Sequence, residues 1–278
     1  MEHICYEDFE KLMAVYGNIE RIWKASTVVR AFEGMGLKQK VIDELRLADY
    51  KVGLEKYVKY MEKNDIKMIT CYDEKYPYKL HFIKNKPIVL FYRGCIDIVN
   101  HESVAIVGSR NCSQYGRKVA ELIGGELAAK GVNVVSGLAS GIDSAAHVAC
   151  LRSKGLTVAV IGNGLDTIYP SQNQRLAEKI IERGGVIISE YVVGTKPERR
   201  NFPRRNRLIS GISDAVVIVE ASKKSGSLIT ANMAINQGKE VWAVPGSIFS
   251  ECSEGTNELI RDGANVFTCI NDIIRQKV

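Results

Sequence analysis

The run Val104-Ala-Ile-Val-Gly108-Ser-Arg110 opens the part of the chain whose reading decides the fold. Four apolar residues end in a glycine turn. A stretch of helical length and spacing follows over 116–130, and a second apolar run, Val132-Asn-Val-Val135, ends in Ser136-Gly137. Strand, glycine loop, helix and strand make a βαβ unit, and the unit repeats. Further strands are expected at 157–161, 186–189, 215–219 and 240–244, with a shorter one at 265–267; helices are expected at 142–154, 172–183 and 227–237. The strands are apolar on both faces rather than alternating, as a parallel sheet covered by helices requires. This order predicts an α/β fold, doubly wound around a Rossmann-like parallel sheet.

Upstream the pattern changes. Residues 1–64 have apolar spacing near three to four in short segments at 6–16, 19–26, 28–35 and 38–47, broken at Gly17-Asn18 and Gly34-Met-Gly36. They predict a small all-helical domain over 1–64, ahead of a larger domain over 65–278. The segment 12–23 reads as helix, glycine turn, helix. Such a hairpin can touch a DNA backbone through its turn amides, or it can simply pack or dock a partner. Residues 66–70 and 88–92 are short strand candidates that join the two parts.

Bulk properties narrow the function classes. No apolar stretch reaches the roughly 18 residues of a membrane helix, and the acidic start lacks a signal-peptide core; a cytoplasmic protein with no membrane partner is expected. Seven cysteines form no C-x-x-C pair, which argues against a disulfide framework and a zinc site. The net charge is +6, and segment 196–207 alone carries six cations against one acid. The positive field is concentrated there.

All the loops after the parallel strands reach one carboxyl edge, where open α/β sheets bind ligands. They are rich in glycine and small polar residues, and each precedes a helix N-terminus, a combination suited to phosphate. The first loop, Gly108-Ser109-Arg110 onward to Gly116, is not G-x-G-x-x-G, and the second strand ends in Ser136-Gly137 rather than an acid, so NAD is not expected. No P-loop occurs, and no cofactor is expected. Arg110 stands where a first phosphate would lie. Arg199, Arg200, Phe202, Arg204, Arg205, Asn206 and Arg207 supply cations around one aromatic ring, a set suited to an unpaired base above its backbone. Ser136, Gly137, Ser225, Gly226, Ser227 and Thr230 are expected to form a secondary anion pocket, although the serines at 225–227 also suit a helix N-cap. Asp143 and His147 are one helical turn apart and favour a structural contact over a metal site. Asp166 and Glu220 at the edge suit acid–base work, helix capping or the orientation of arginines.

These same residues carry a resemblance. Gly108-Ser-Arg110, Val135-Ser-Gly-Leu-Ala-Ser-Gly-Ile-Asp-Ser-Ala-Ala-His147, Gly162-Asn-Gly-Leu-Asp-Thr-Ile-Tyr-Pro170, Phe202-Pro-Arg-Arg-Asn-Arg207, Ser225-Gly-Ser-Leu-Ile-Thr230 and Val244-Pro-Gly246 resemble, in order, the motifs of the DNA-processing protein A (DprA/Smf) family. The resemblance implies an extended Rossmann domain behind a sterile-alpha-motif-like helical domain. It implies a homodimer that binds single-stranded DNA and loads the recombinase RecA during natural transformation, with no catalytic residue. It places strand contacts on Arg110 and Arg199 and base stacking on Phe202, with Arg205 and Arg207 in the same motif. Relatives often carry a basic residue after the Tyr-Pro pair; Ser171 stands there, so no contact is assigned to it. The chain ends soon after its last expected strand, so no winged-helix domain is expected.

A rival reading is a nucleotide-processing enzyme. Pro245-Gly-Ser247 with Gly255-Thr-Asn-Glu258 distantly resembles the P-G-G-x-G-T-x-x-E of phosphoribohydrolases, but with Ser247 for the second glycine and the Gly-Thr pair displaced. The apolar stretch 264–274 is a candidate dimer face, or equally a core strand and helix.

Overall fold

The computed structural model describes residues 6–26, 31–32, 34–47 and 50–274. The chain divides into two compact units, Met1–Asn64 with Asn85–Ile88, and Asp65–Lys84 with Val89–Val278.

The first unit is helical: α1 (Tyr6–Tyr16), α2 (Ile19–Ser26), α3 (Gln39–Leu47) and α4 (Tyr50–Lys63). Gly17 takes a positive φ of 78° between α1 and α2, and the Asn18 side chain accepts from the Arg21 amide to start α2. Leu12 and Ile22, on either side of this turn, are buried with Phe32, Val41 and Leu45. The hairpin therefore packs this unit's own core. Of the helix expected at 28–35, residues 28–30 and 33 lie outside the described residues, and 31–32 and 34–35 form turns and a bend rather than a helix; α4 extends the helical pattern beyond the segments read from spacing.

The second unit is built on a nine-stranded sheet. Its strands are β1 (Lys67–Thr70), β2 (Val89–Gly94), β3 (Ser103–Val107), β4 (Asn133–Ser136), β5 (Thr157–Ile161), β6 (Val186–Ser189), β7 (Ala215–Ile218), β8 (Glu240–Ala243) and β9 (Asn265–Val266). Their order is β1-β2-β6-β5-β4-β3-β7-β8-β9. From β6 to β9 every neighbour is parallel, while β1 and β2 are added antiparallel at one end. The chain winds outward from β3 to β6, returns to the other side of β3 and continues through β9. The topological switch therefore lies between β3 and β7. Residues of β3 to β7 are buried throughout, which explains why apolar and polar residues do not alternate along them.

Helices α5 (Gln114–Ala129), α6 (Ile142–Arg152) and α7 (Gln174–Glu182) follow β3, β4 and β5 and pack side by side on one face. Helix α8 (Asn201–Ile212) lies across β3, β4 and β5 on the other face, beside α9 (Gly226–Asn236). Two short helices, α10 (Glu254–Arg261) and α11 (Ile270–Ile274), complete the unit. Phe267, Ile270 and Ile273 are buried in the main core with residues of α5 and β8. The stretch 264–274 thus supplies core side chains, which takes them away from a dimer face. Among the described residues no helix is long and apolar enough to cross a membrane, and no three metal-ligating side chains cluster.

The largest departure from the sequence reading is α8. The stretch after β6, for which the sequence predicts no helix, is a helix from Asn201. Pro203 is tolerated because it sits in the first turn, where its missing N–H has no intrahelical acceptor to lose. Leu208, Ile209 and Ile212 form the buried face, a helical spacing that the cations in front of it obscure.

His147 on α6 is buried, and its Nδ1 lies 2.7 Å from the Thr157 hydroxyl. Burial, aided by the Arg205 charge, lowers its pKa to about 3. The unfolded chain thus takes up a proton near pH 6.5 that the folded chain refuses, so this contribution to stability is complete above pH 6.5 and is lost as pH falls toward 3. The slope reaches about 1.4 kcal/mol per pH unit. Urea unfolding between pH 7 and pH 4 should show this extra acid-side loss in the wild type and its disappearance in His147→Gln; parallel pH profiles would contradict it.

Candidate nucleic-acid interface

The carboxyl edge is organised by one buried guanidinium. Arg205 is only 4% exposed. Its Nη1 donates to the carbonyls of Gly137 and Val160, at the ends of β4 and β5. Beneath it the Asp143 carboxylate accepts from the Gly137 amide at 3.0 Å and the Ala139 amide at 3.4 Å. Desolvation lowers the Arg205 pKa to about 10, opposed by Asp143; desolvation also raises that of Asp143, opposed by Arg205. Each charge is tolerable only because the other is present. Arg205 is therefore an anchor that pins α8 to the strand ends, not a strand contact as its motif suggested.

Phe202 lies one turn earlier on the same helix, on the side that reaches the edge. Its ring centre is 5.7 Å from that of Tyr169, and the Arg110 guanidinium stands 4.9 Å from its centre, within cation–π range. A Cβ on Gly162 would come within 3.1 Å of the Phe202 ring, so glycine at the end of β5 lets the ring sit there without a shift. Gly141, at φ +79°, plays the matching part beneath Arg110: a Cβ there would collide with the Ser109 and Arg110 carbonyl oxygens. Tyr169 is 44% exposed, and the sequence reading placed it in a motif without assigning it to the site. The signal was its position before Pro170, between two loops of the same edge.

The cations and polar groups of the arginine segment separate by partner. Arg207 makes a two-pronged pair with the buried Glu190, at 2.8 and 2.6 Å, and is itself only 12% exposed; it is structural. Arg204 leans toward the same carboxylate at 3.9 Å, and Arg200 pairs with Glu198 at 2.7 Å in solvent. Asn206 reaches the Gly226 carbonyl at 3.4 Å and links α8 to α9. Arg110 and Arg199 are exposed, and among the described residues neither has a carboxylate within ion-pair distance. Gly108 and Ser109 set the course of the Arg110 loop. The Ser109 amide donates to the Glu220 carbonyl at 2.9 Å, and Gly108 is pressed against Ile142. They aim Arg110.

The secondary anion pocket does not form. Ser136 is buried and donates to the Ile106 carbonyl at 2.6 Å, Gly137 is closed over by Arg205 and Asp143, and Thr230 and Ser227 are buried. Ser225 caps α9 through the Ser227 amide, leaving Gly226 beside it. Glu220 is likewise a cap. Its carboxylate accepts from the amide and hydroxyl of Ser113 at the start of α5, and it fills the space a Cβ on Gly116 would need. This is the helix N-terminus beside the switch point, where a nucleotide phosphate would sit in a dinucleotide-binding sheet; here a protein carboxylate already occupies it. Asp166 accepts from the Gly194 amide at 2.8 Å and shapes the loop after β6. His147 contacts Thr157 rather than Asp143.

The chain matches the family described as DNA recombination-mediator protein A over residues 67–277. It is 44% identical over 204 residues to the DNA processing protein DprA of Streptococcus pneumoniae, covering 73% of this chain and 72% of that protein. It is 38% identical over 243 residues to that of Bacillus subtilis, covering 84% and 81%. Protein Smf of Escherichia coli is 42% identical over 221 residues, 80% of this chain but 59% of that protein, so this chain spans less than two thirds of its length. Among solved structures, the Streptococcus pneumoniae DprA superposes with a TM-score of 0.73 at 35% identity, covering 98% of both chains. The Helicobacter pylori DNA processing protein A, whose structure is described for its single-stranded DNA binding mode, superposes with a TM-score of 0.69 at 31% identity, covering 76% of this chain and 94% of that one.

The division of the arginines makes a stability prediction. Arg205→Met leaves two strand-end carbonyls buried without their donor and the buried Asp143 carboxyl without its opposing charge, and should lower the unfolding free energy by about 3–5 kcal/mol. Arg199→Ala should change it by less than about 0.5 kcal/mol. Denaturant unfolding of both variants measures the difference; equal small effects would show that Arg205 is not the anchor.

Proposed function

We propose that this chain, which belongs to the DNA recombination-mediator protein A family, binds single-stranded DNA along the carboxyl edge of its sheet and does so without a catalytic step. The observation that carries this reading is the cluster of Arg110, Phe202 and Tyr169, with Arg199 close by in sequence just before α8. Exposed cations with no carboxylate partner among the described residues thus accompany two aromatic rings. A phosphate can bridge to the cations while an unpaired base stacks on a ring, and such stacking contributes about 1–3 kcal/mol per base. A duplex keeps its bases inside and can use only the charges.

Commitment of Glu220 to the cap of α5 supports a binding edge over a catalytic one, since a general base must reach its substrate. Glu258, the carboxylate of the rival enzyme reading, lies 2.8 Å from Arg261. Within this proposal the protein acts on DNA during transformation and recombination in the cytoplasm, as a homodimer that presents the strand to the recombinase RecA. The support is the family's recombination-mediator description and the single-stranded DNA named for the Helicobacter pylori relative.

Fluorescence anisotropy with labelled oligothymidine across a salt series tests the site. Arg110→Ala and Arg199→Ala should each weaken binding and flatten the salt slope by about 0.7 for each phosphate no longer neutralised. Phe202→Ala should weaken binding by about 1–3 kcal/mol with the slope unchanged, because stacking releases no counterions. No binding by the wild type, or equal affinity for duplex, would overturn the proposal.

A further inference from the structure

On the face of the sheet opposite α8, a trough of about 410 Å³ runs between α5, α6 and α7. Its floor is α6, where Ser144, Ala145 and Val148 present only short side chains. Its rims carry Arg117 from α5 and Arg175 and Lys179 from α7, with Arg152 at the far end of α6. All four cations are exposed, and among the described residues none is within ion-pair distance of a carboxylate. Glu121 is the one acid of the lining. Such a concentration of unpaired like charge in a concave surface raises the local potential and favours a polyanion.

The trough begins at the edge that holds Arg110 and Phe202. Arg117 is in the first turn of α5, which starts directly after the Arg110 loop. Gln172, close after Tyr169 in the chain, lines the trough and holds the Ser140 hydroxyl at 2.8 Å. From Ser144 to Arg152 the floor extends about 12 Å along the helix, away from the edge. No aromatic side chain is among its lining residues, so it offers charge without a stacking platform.

We infer that the trough carries the phosphodiester backbone of the strand after it leaves the edge, with the bases turned outward. The inference rests on the strand-binding reading above and extends it. The edge would hold a few nucleotides through stacking and charge, and the α5–α6–α7 face would hold the continuation through charge alone. A longer strand then binds more tightly than a short one, and its salt slope is steeper.

The test uses the full chain, the double variant Arg152→Glu with Lys179→Glu, and labelled oligothymidines of about 5 and about 16 nucleotides. Both substitutions are at exposed positions, and thermal unfolding checks that the fold is retained. The variant should bind the short oligomer as the wild type does and the long one about tenfold more weakly or worse, with a flatter salt slope. A long oligomer with abasic flanks around central thymidines should keep the full gain over the short one, since the trough reads phosphates. Loss of that gain, an equal loss on both lengths, or no loss on either would overturn the inference while the edge site stands. If the short oligomer fails to bind the wild type, the edge reading itself fails.

Discussion

The buried guanidinium of Arg205 is the constraint on which the rest of the edge depends. It takes up two carbonyls that would otherwise be orphaned at the ends of β4 and β5, and it faces the carboxylate buried below them. An uncompensated charge at that depth would cost several kcal/mol, so α8 has one permitted docking position on the sheet. Phe202, one turn earlier, inherits that position. The ring is held over Gly162 and beside Tyr169 by a bond network that it does not itself join.

Residues of one chemical type are thereby given different work. Arg205 and Arg207 are buried against carboxylates and hold helix to sheet, Arg200 and Arg204 have acidic neighbours, and Arg110 and Arg199 are left to the solvent. A guanidinium already paired in low dielectric has little attraction left for a phosphate, whereas an exposed unpaired one releases a counterion when it binds. The net charge of the segment overstates its capacity for DNA, because part of that charge is neutralised inside the protein.

A similar internal pairing fills the start of α5 beside the switch point. The positive end of α5 beside the switch point would attract a phosphate. Glu220 sits there instead, bonded to Ser113 and closely packed on Gly116. The proposed strand site uses other residues, the loops of Arg110, Tyr169 and Phe202.

The parallel sheet could be read from the residue order, because runs buried on both faces must be apolar without alternation, and with it the meeting of the glycine loops at one edge. An ordered set of motifs singled out Arg110, Arg199 and Phe202. Helix α8 stayed hidden, since a proline and a cluster of cations mimic a loop when the buried Leu208, Ile209 and Ile212 lie behind them. Ser136 and Gly137 were grouped with Ser225 and Thr230 into an anion pocket because small polar residues at strand ends look alike whether open or covered. Folding in three dimensions settled which arginines are anchors and which face solvent, that Tyr169 joins the ring cluster, and that Glu220 is a cap. Those outcomes depend on partners distant in the chain, such as Asp143 for Arg205 and Glu190 for Arg207. The energy of a charge is set by its burial and its neighbours, and neither is a property of the residue alone.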